Sequence, residues 1–347
     1  MDSEKVKQDF FAGFSKLKNQ SLWKGCFHEN SDCSKEIIKA HSIQNNRILN
    51  YISEDGNVLM FGPELNNSLD LKTTMKPQGR KKATTFTGFC GKHDSDLFRP
   101  IEYTEYVPGN KEQEFLFAYR ALAKEYHAKK STAEISRKSL GFLENGDYSS
   151  LSKLFDDGSP PGKEHVEFMT SMFDSHMSGT NEAVKAFEKQ RAAMNINLEN
   201  GRYFKIQTEC IVFDKEYHLA VSAVCNIEND LLGNRINDYG KLNVPLAPLF
   251  VTIFPQNGKT FVLLSYYKND KFKFEFIKKQ IVAKEPEEQA IIISNIVISH
   301  VENFVVSPIK WRELGAKKQE KIASAFMETA LTFNKPLVFD NTLNIFI

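Results

Sequence analysis

Thr87-Gly88-Phe89-Cys90-Gly91-Lys92-His93-Asp94-Ser95-Asp96-Leu97-Phe98 places a thiol and an imidazole three positions apart at the start of an expected helix. That spacing closes a small chelate loop, and a first turn rich in Asp complements the positive end of a helix dipole. Upstream, Cys26 and Cys33 form a second pair with a gap of six residues. Two chelating pairs separated by a long insert are the arrangement of a four-coordinate metal site, because the fold then brings the pairs together. The pattern nominates Cys26, Cys33, Cys90 and His93 as ligands of one Zn2+ ion. The competing reading is that of buried, inert thiols. His28, between the first two cysteines, is an alternative ligand.

Between the pairs, Ile48-Leu49-Asn50-Tyr51-Ile52 and Val58-Leu59-Met60-Phe61 flank the turn Glu54-Asp55-Gly56-Asn57. Two short apolar runs around Asp-Gly-Asn predict a hairpin, since Gly and Asn tolerate the positive φ that such turns need. A cysteine knuckle, a hairpin and then a helix carrying the last ligands is the plan of a treble clef. The run Lys72, Lys76, Arg80, Lys81 and Lys82 is expected in a loop, where it would contact phosphates or simply be solvated.

The stretch from Cys26 to Glu102 resembles the treble-clef, HNH-like zinc modules that open many uncharacterised bacterial proteins. The resemblance rests on an Ile-x-x-x-His step, Ile37 to His41, and on Gly-Phe-Cys-x-x-His-Asp-x-x-x-Phe-x-Pro-Ile-Glu, Gly88 to Glu102. It covers under a quarter of the chain. In active HNH nucleases the His at the position of His41 is a general base, and acidic side chains, here Asp94 or Asp96, help hold a catalytic metal. The residue before that base is usually an acidic metal ligand, and here it is Ala40. The bland roles are a hydrogen-bonding or substitute-ligand His41 and helix N-terminal charges at Asp94 and Asp96.

A chain of 347 residues with a formal charge of +1 can bury a full core and is not built mainly to coat nucleic acid. No stretch approaches about 18 uninterrupted apolar residues, and Met1-Asp-Ser-Glu-Lys is too polar for a signal peptide. Zinc-spaced thiols without disulfide-like density suit the reducing cytosol, so the expected location is cytoplasmic with no membrane partner.

After Asn110 the pattern becomes helical, with Phe115, Ala118, Tyr119, Leu122 and Tyr126 at spacings of three and four, and Ser131 to Leu143 as a further helix or a continuation. Asp156 to Gly162 reads as a loop, and Lys163 to Asn195 as two helices broken at Ser178-Gly-Thr180. Extended runs follow from Arg202, with the best hairpin at Leu249–Phe254 and Phe261–Tyr267 around Asn257-Gly258. Lys271 to Ile277 is a strand or a helix start, Pro286 opens a buried helix, Ala316 to Phe333 is the final helix, and Ile345 to Ile347 is an expected strand.

The expected fold is α+β: a zinc-binding treble-clef module over 1–109 and a larger α+β domain over 110–347, with helices in 111–195, strands in 202–277 and helices in 286–333. The expected function is binding. The resemblance implies nucleic acid as the target, reached through Arg80, Lys81 and Lys82, with bacterial phage defence as a context. The alternatives are a metal-dependent nuclease using His41 with Asp94, and a structural zinc module supporting a protein partner or homodimer.

Overall fold

The computed structural model describes residues 12–13, 15–65, 71–147, 162–241, 244–330 and 332–347. The expected loop at 156–162 lies outside these residues except for Gly162. The architecture is α+β, with mixed helix and antiparallel sheet.

Strand β1 (Ile37–His41) is followed by helical turns at Asn45–Leu49 and Asn50–Ile52. Strands β2 (Asn57–Leu65) and β3 (Leu71–Gly79) then pair from Asn57 opposite Gly79 to Leu65 opposite Leu71. The expected hairpin is thus shifted. Ile48 to Ile52 is helical, burying Leu49 and Ile52 beside Ile43 and Val58, because so short an apolar run fits either period. Lys72 and Lys76 lie on β3 rather than in a loop.

Strand β4 (Thr85–Cys90) returns to pair with β1, with Ile37 opposite Cys90 and Ala40 opposite Phe86. Helices α1 (Gly91–Leu97) and α2 (Arg99–Glu102) follow directly. Two long helices come next: α3 (Lys111–Glu144), capped by the Asn110 side chain, and α4 (Lys163–Glu199). Both are continuous, α4 running straight through Gly179 where the sequence predicts a break. One interior glycine costs about 1 kcal/mol relative to alanine, which packing of α4 along α3 outweighs.

Strands β5 (Ile206–Phe213), β6 (Leu219–Cys225), β7 (Leu249–Gln256) and β8 (Lys259–Tyr267) form most of the main sheet. The β7–β8 turn uses Asn257 at φ 53° and Gly258 at φ 77°, the conformation a two-residue hairpin turn requires. Lys271 to Phe276 is helical (α5), α6 (Pro286–His300) begins at its proline, and β9 (Phe304–Val306), α7 (Pro308–Glu313) and α8 (Ala316–Ala330) complete the elements. The tail is buried at Leu343, Ile345 and Phe346 but forms no strand. Side chains of α6 satisfy its backbone instead: Ser294 Oγ accepts from Ile345 N–H, and Asn295 Oδ1 accepts from the Phe339 and Asp340 N–H groups. Among the described residues no helix is long and apolar enough to cross a membrane.

The seven-stranded antiparallel sheet runs β3-β2-β9-β6-β7-β8-β5. Strands β6 and β7 are buried almost end to end, because both faces are covered. Alternation divides their side chains. Val221, Ala223, Val251 and Ile253 pack with Ile293, Ile296 and Val297 of α6, whereas Val224 and Phe250 face Phe115, Tyr119 and Tyr126 of α3. The second face also holds Phe27, Phe86, Phe89 and Phe98. The boundary expected between residues 109 and 110 is therefore crossed by both sheet and core. The hairpin β2–β3 joins the main sheet through Leu59 opposite Val306, and the same Val306 pairs with Leu219.

Candidate metal centre

Four donors from three pieces of chain meet at one point. The first comes from a loop strapped to β4: Gly25 N–H donates to the Thr87 carbonyl at 3.3 Å and Phe27 N–H to the Gly88 carbonyl at 2.7 Å. This holds Cys26 over the ladder. A turn closed by Cys33 N–H donating to the Asn30 carbonyl brings Cys33 back. Cys90 ends β4 and caps α1, its Sγ accepting from His93 N–H at 3.4 Å. His93, in the first turn of α1, points Nδ1 at Cys26 Sγ, 3.2 Å away. The donor atoms of Cys26, Cys33, Cys90 and His93 all lie within 4.8 Å of one another. All five cysteines of the chain are free.

This donor set fits a metal ion. Tetrahedral coordination with metal–sulfur bonds of about 2.3 Å sets sulfur–sulfur edges of about 3.8 Å, so small side-chain rotations close the shell. Cys26, Cys90 and His93 are buried and Cys33 is partly so. Left to themselves these groups are ill matched. Burial pushes the Cys26 thiol up to about 12, helped by the nearby Cys90 and Cys33. Burial also opposes ionisation of Cys90, yet hydrogen bonds from Ser34 and the His93 N–H hold it down at about 7. A divalent cation held by these four residues would resolve the conflict by pairing with the thiolates directly.

Residues far along the chain hold the knuckle in place. Arg191 of α4 donates from Nε to the Phe27 carbonyl at 2.7 Å and from Nη2 to the Cys26 carbonyl at 3.1 Å. Asn195, one turn later, donates to the Phe27 carbonyl at 3.0 Å and accepts from the Tyr119 hydroxyl at 2.6 Å. His28 is not among the four converging donors: its Nδ1 lies 3.1 Å from the Tyr119 hydroxyl and its ring meets His93 edge-on at 4.8 Å. Sequence reasoning misses all of these supports. The one available signal is that Arg191 and Asn195 share a helix face, by spacing, with the buried Phe187 and Met194.

His127 of α3 supports β4 from the other side. Its Nε2 accepts from Thr87 N–H at 3.3 Å, and burial, with Lys124 adding, pulls the imidazole down to about 4. In the unfolded chain it titrates near 6.5. Between those values the unfolded chain binds a proton that the folded chain refuses, so this stabilisation is full above pH about 6.5 and lost as pH falls toward about 4. His127→Gln, which keeps an acceptor, should flatten the loss by up to about 1.4 kcal/mol per pH unit. Denaturant melts at about pH 7 and about pH 5 test this; equal pH dependence in the two proteins contradicts it.

The other nominated residues are placed as follows. His41 ends β1, half-buried, and its Nε2 donates to the Arg80 carbonyl at 3.3 Å; burial lowers its pKa while that bond raises it. Asp94 lies in the first turn of α1, where burial raises its pKa against the pull of Arg120. Arg120 of α3 pairs with Glu102 at 2.6 Å and stacks on the Phe98 ring at 4.1 Å. Among the described residues, Cys26, Cys33, Cys90 and His93 are the one group of three or more His, Cys, Asp or Glu side chains that could share an ion. His41 and Asp94 belong to no such group of three or more among the described residues. Arg80 is tied to the scaffold, donating from Nη1 to Asn45 Oδ1 at 2.9 Å, while Lys81 and Lys82 are exposed on the turn after β3.

No protein-family model, curated protein or solved structure matches this chain.

Proposed function

We propose that this chain is a zinc protein whose Cys3His centre is structural, and that its HNH-like treble-clef module serves nucleic-acid binding rather than cleavage. The observation that carries the reading is the convergence of Cys26, Cys33, Cys90 and His93 within the core. Three thiolates and an imidazole in a tetrahedral set suit zinc among the biological cations. When bound, zinc supplies folding free energy and a closed shell with no open position for a catalytic water. A knuckle, a two-stranded ladder and a helix capped by Cys90 and bearing His93 support the treble-clef assignment.

Nucleic acid as the target is supported by the resemblance of Gly88 to Glu102 to HNH-like modules and by the exposed Lys81 and Lys82. Nuclease chemistry has less support. A general base needs a free nitrogen lone pair; the Nε2–H of His41 donates to the Arg80 carbonyl and leaves the Nδ1 lone pair free, so the imidazole by itself does not decide against cleavage. Where an acidic partner would precede it stands the buried Ala40.

Supercoiled plasmid and structured RNA incubated with magnesium or manganese test this. Wild type and His41→Ala are expected to leave both intact and to bind with affinity that drops as salt rises. Nicking by wild type that vanishes in His41→Ala, a loss of about 10²- to 10⁴-fold, would make the chain an enzyme.

A further inference from the structure

A cleft of about 1770 Å³ opens between α3, α4 and the C-terminal end of β6, bounded also by Asp238, Tyr239, Lys241 and Val244 to Pro248 of the connection that follows. Its charged lining is unevenly paired. Glu125, Glu182 and Asp238 are matched by Lys129, Lys185 and Lys241, and Glu188 by Lys130. Among the described residues, Lys18, Lys124, Lys189, Arg202, Lys205 and Lys268 line the cleft or its mouth with no ion pair, against the acids Asp270 and Glu302. Lys124 is the innermost of these cations, its Nζ 5.6 Å from the Phe86 ring centre. Burial and the nearby Lys18 pull that ammonium down to about 8, even with Glu125 and Glu302 opposing. An anion entering the cleft would relieve both costs.

Two aromatic residues add a second requirement. Tyr239 lines the cleft with 40 % of its surface exposed. Tyr267 also lines it, and its hydroxyl is buried without a hydrogen-bond partner. A platform for a flat ring and an unsatisfied hydroxyl suit bases that are unstacked, as in a single strand. The cleft also exceeds the roughly 300–1,000 Å³ typical of a small-molecule pocket, and its cations come from separate stretches of chain, as a track for a polymer would need.

We propose that this cleft binds single-stranded nucleic acid, holding its phosphates with Lys18, Lys124, Lys189, Arg202, Lys205 and Lys268 and its bases against Tyr239 and Tyr267. The inference rests on the reading of this protein as nucleic-acid-directed, and moves the main interaction from the turn at Arg80 to Lys82 into the cleft.

Fluorescence anisotropy of a labelled strand of about 12 nucleotides on the zinc-loaded full chain, at several salt concentrations, is the test. The double variants Lys124→Gln/Lys268→Gln and Lys189→Gln/Lys205→Gln should each raise Kd about tenfold and reduce the salt slope by roughly 1.4, at about 0.7 for each phosphate no longer neutralised. Lys317→Gln/Lys318→Gln, exposed on α8 and outside the cleft lining, should change binding little, and Lys81→Gln/Lys82→Gln should weaken it less than either cleft variant. Unlabelled single strand should displace the probe far better than duplex of the same sequence, a mononucleotide or inorganic polyphosphate. Unchanged binding in both cleft variants, weakening confined to the Lys81/Lys82 variant, or equal displacement by duplex, mononucleotide or polyphosphate overturns the cleft while leaving the nucleic-acid reading standing. Absence of binding to any nucleic acid overturns both.

Discussion

Cys90→Ser is expected to release the bound metal and to unfold the N-terminal half of the molecule. Cys90 is fully buried, faces Ile37 across the β1–β4 ladder and caps α1. Losing its thiolate therefore strikes the ion, the ladder and the helix start together. Structural zinc contributes about 10–16 kcal/mol in small zinc-finger peptides, whereas a whole domain is stable by only about 5–15 kcal/mol. The serine protein should show no stoichiometric metal by elemental analysis and a broad, early melt. Cys210→Ser, on β5 away from the site, should keep both metal and melt near wild type. A Cys90→Ser protein that melts like wild type without metal would contradict the assignment.

The second large effect is expected from a truncation that begins at Lys111. It removes Phe27, Phe86, Phe89 and Phe98, all buried against α3, and strips β2 and β3 from β9. At roughly 1.5–3 kcal/mol for each buried aromatic, about 6–12 kcal/mol of burial is lost, as much as a domain has to spare. The fragment should be insoluble, or should keep its far-ultraviolet dichroism while losing near-ultraviolet dichroism and binding a hydrophobic dye. A soluble fragment with a cooperative melt would show instead that 111–347 is an independent domain.

The ligand pairs are legible because chelation depends on local spacing, which a sequence displays directly. The turn at Asn257-Gly258 and the start of α6 at Pro286 are legible for the same reason, since each is decided by one or two residues. What escapes is non-local. Strand β9 is three residues long, yet it bridges β2 and β6 and so fuses the two expected domains. Its sequence, Phe304-Val305-Val306, carries no sign of its partners. The supports from Arg191 and Asn195 act across more than 160 residues of chain. The helical turns at Asn45 to Ile52 are hard to read because a five-residue apolar run has no decisive period. Continuity of α4 through Gly179 is hidden for another reason: tertiary packing overrides a local penalty of about 1 kcal/mol.

The central claim is that four side chains close around one structural zinc ion. X-ray absorption at the zinc edge, on protein purified without chelator and quantified for metal, tests it most directly. The account predicts one zinc per chain, with three sulfur neighbours at about 2.3 Å and one nitrogen at about 2.0–2.1 Å, the nitrogen signal disappearing or being replaced in His93→Ala. Protein without zinc, or zinc bound mainly by oxygen with an open coordination position, would contradict it.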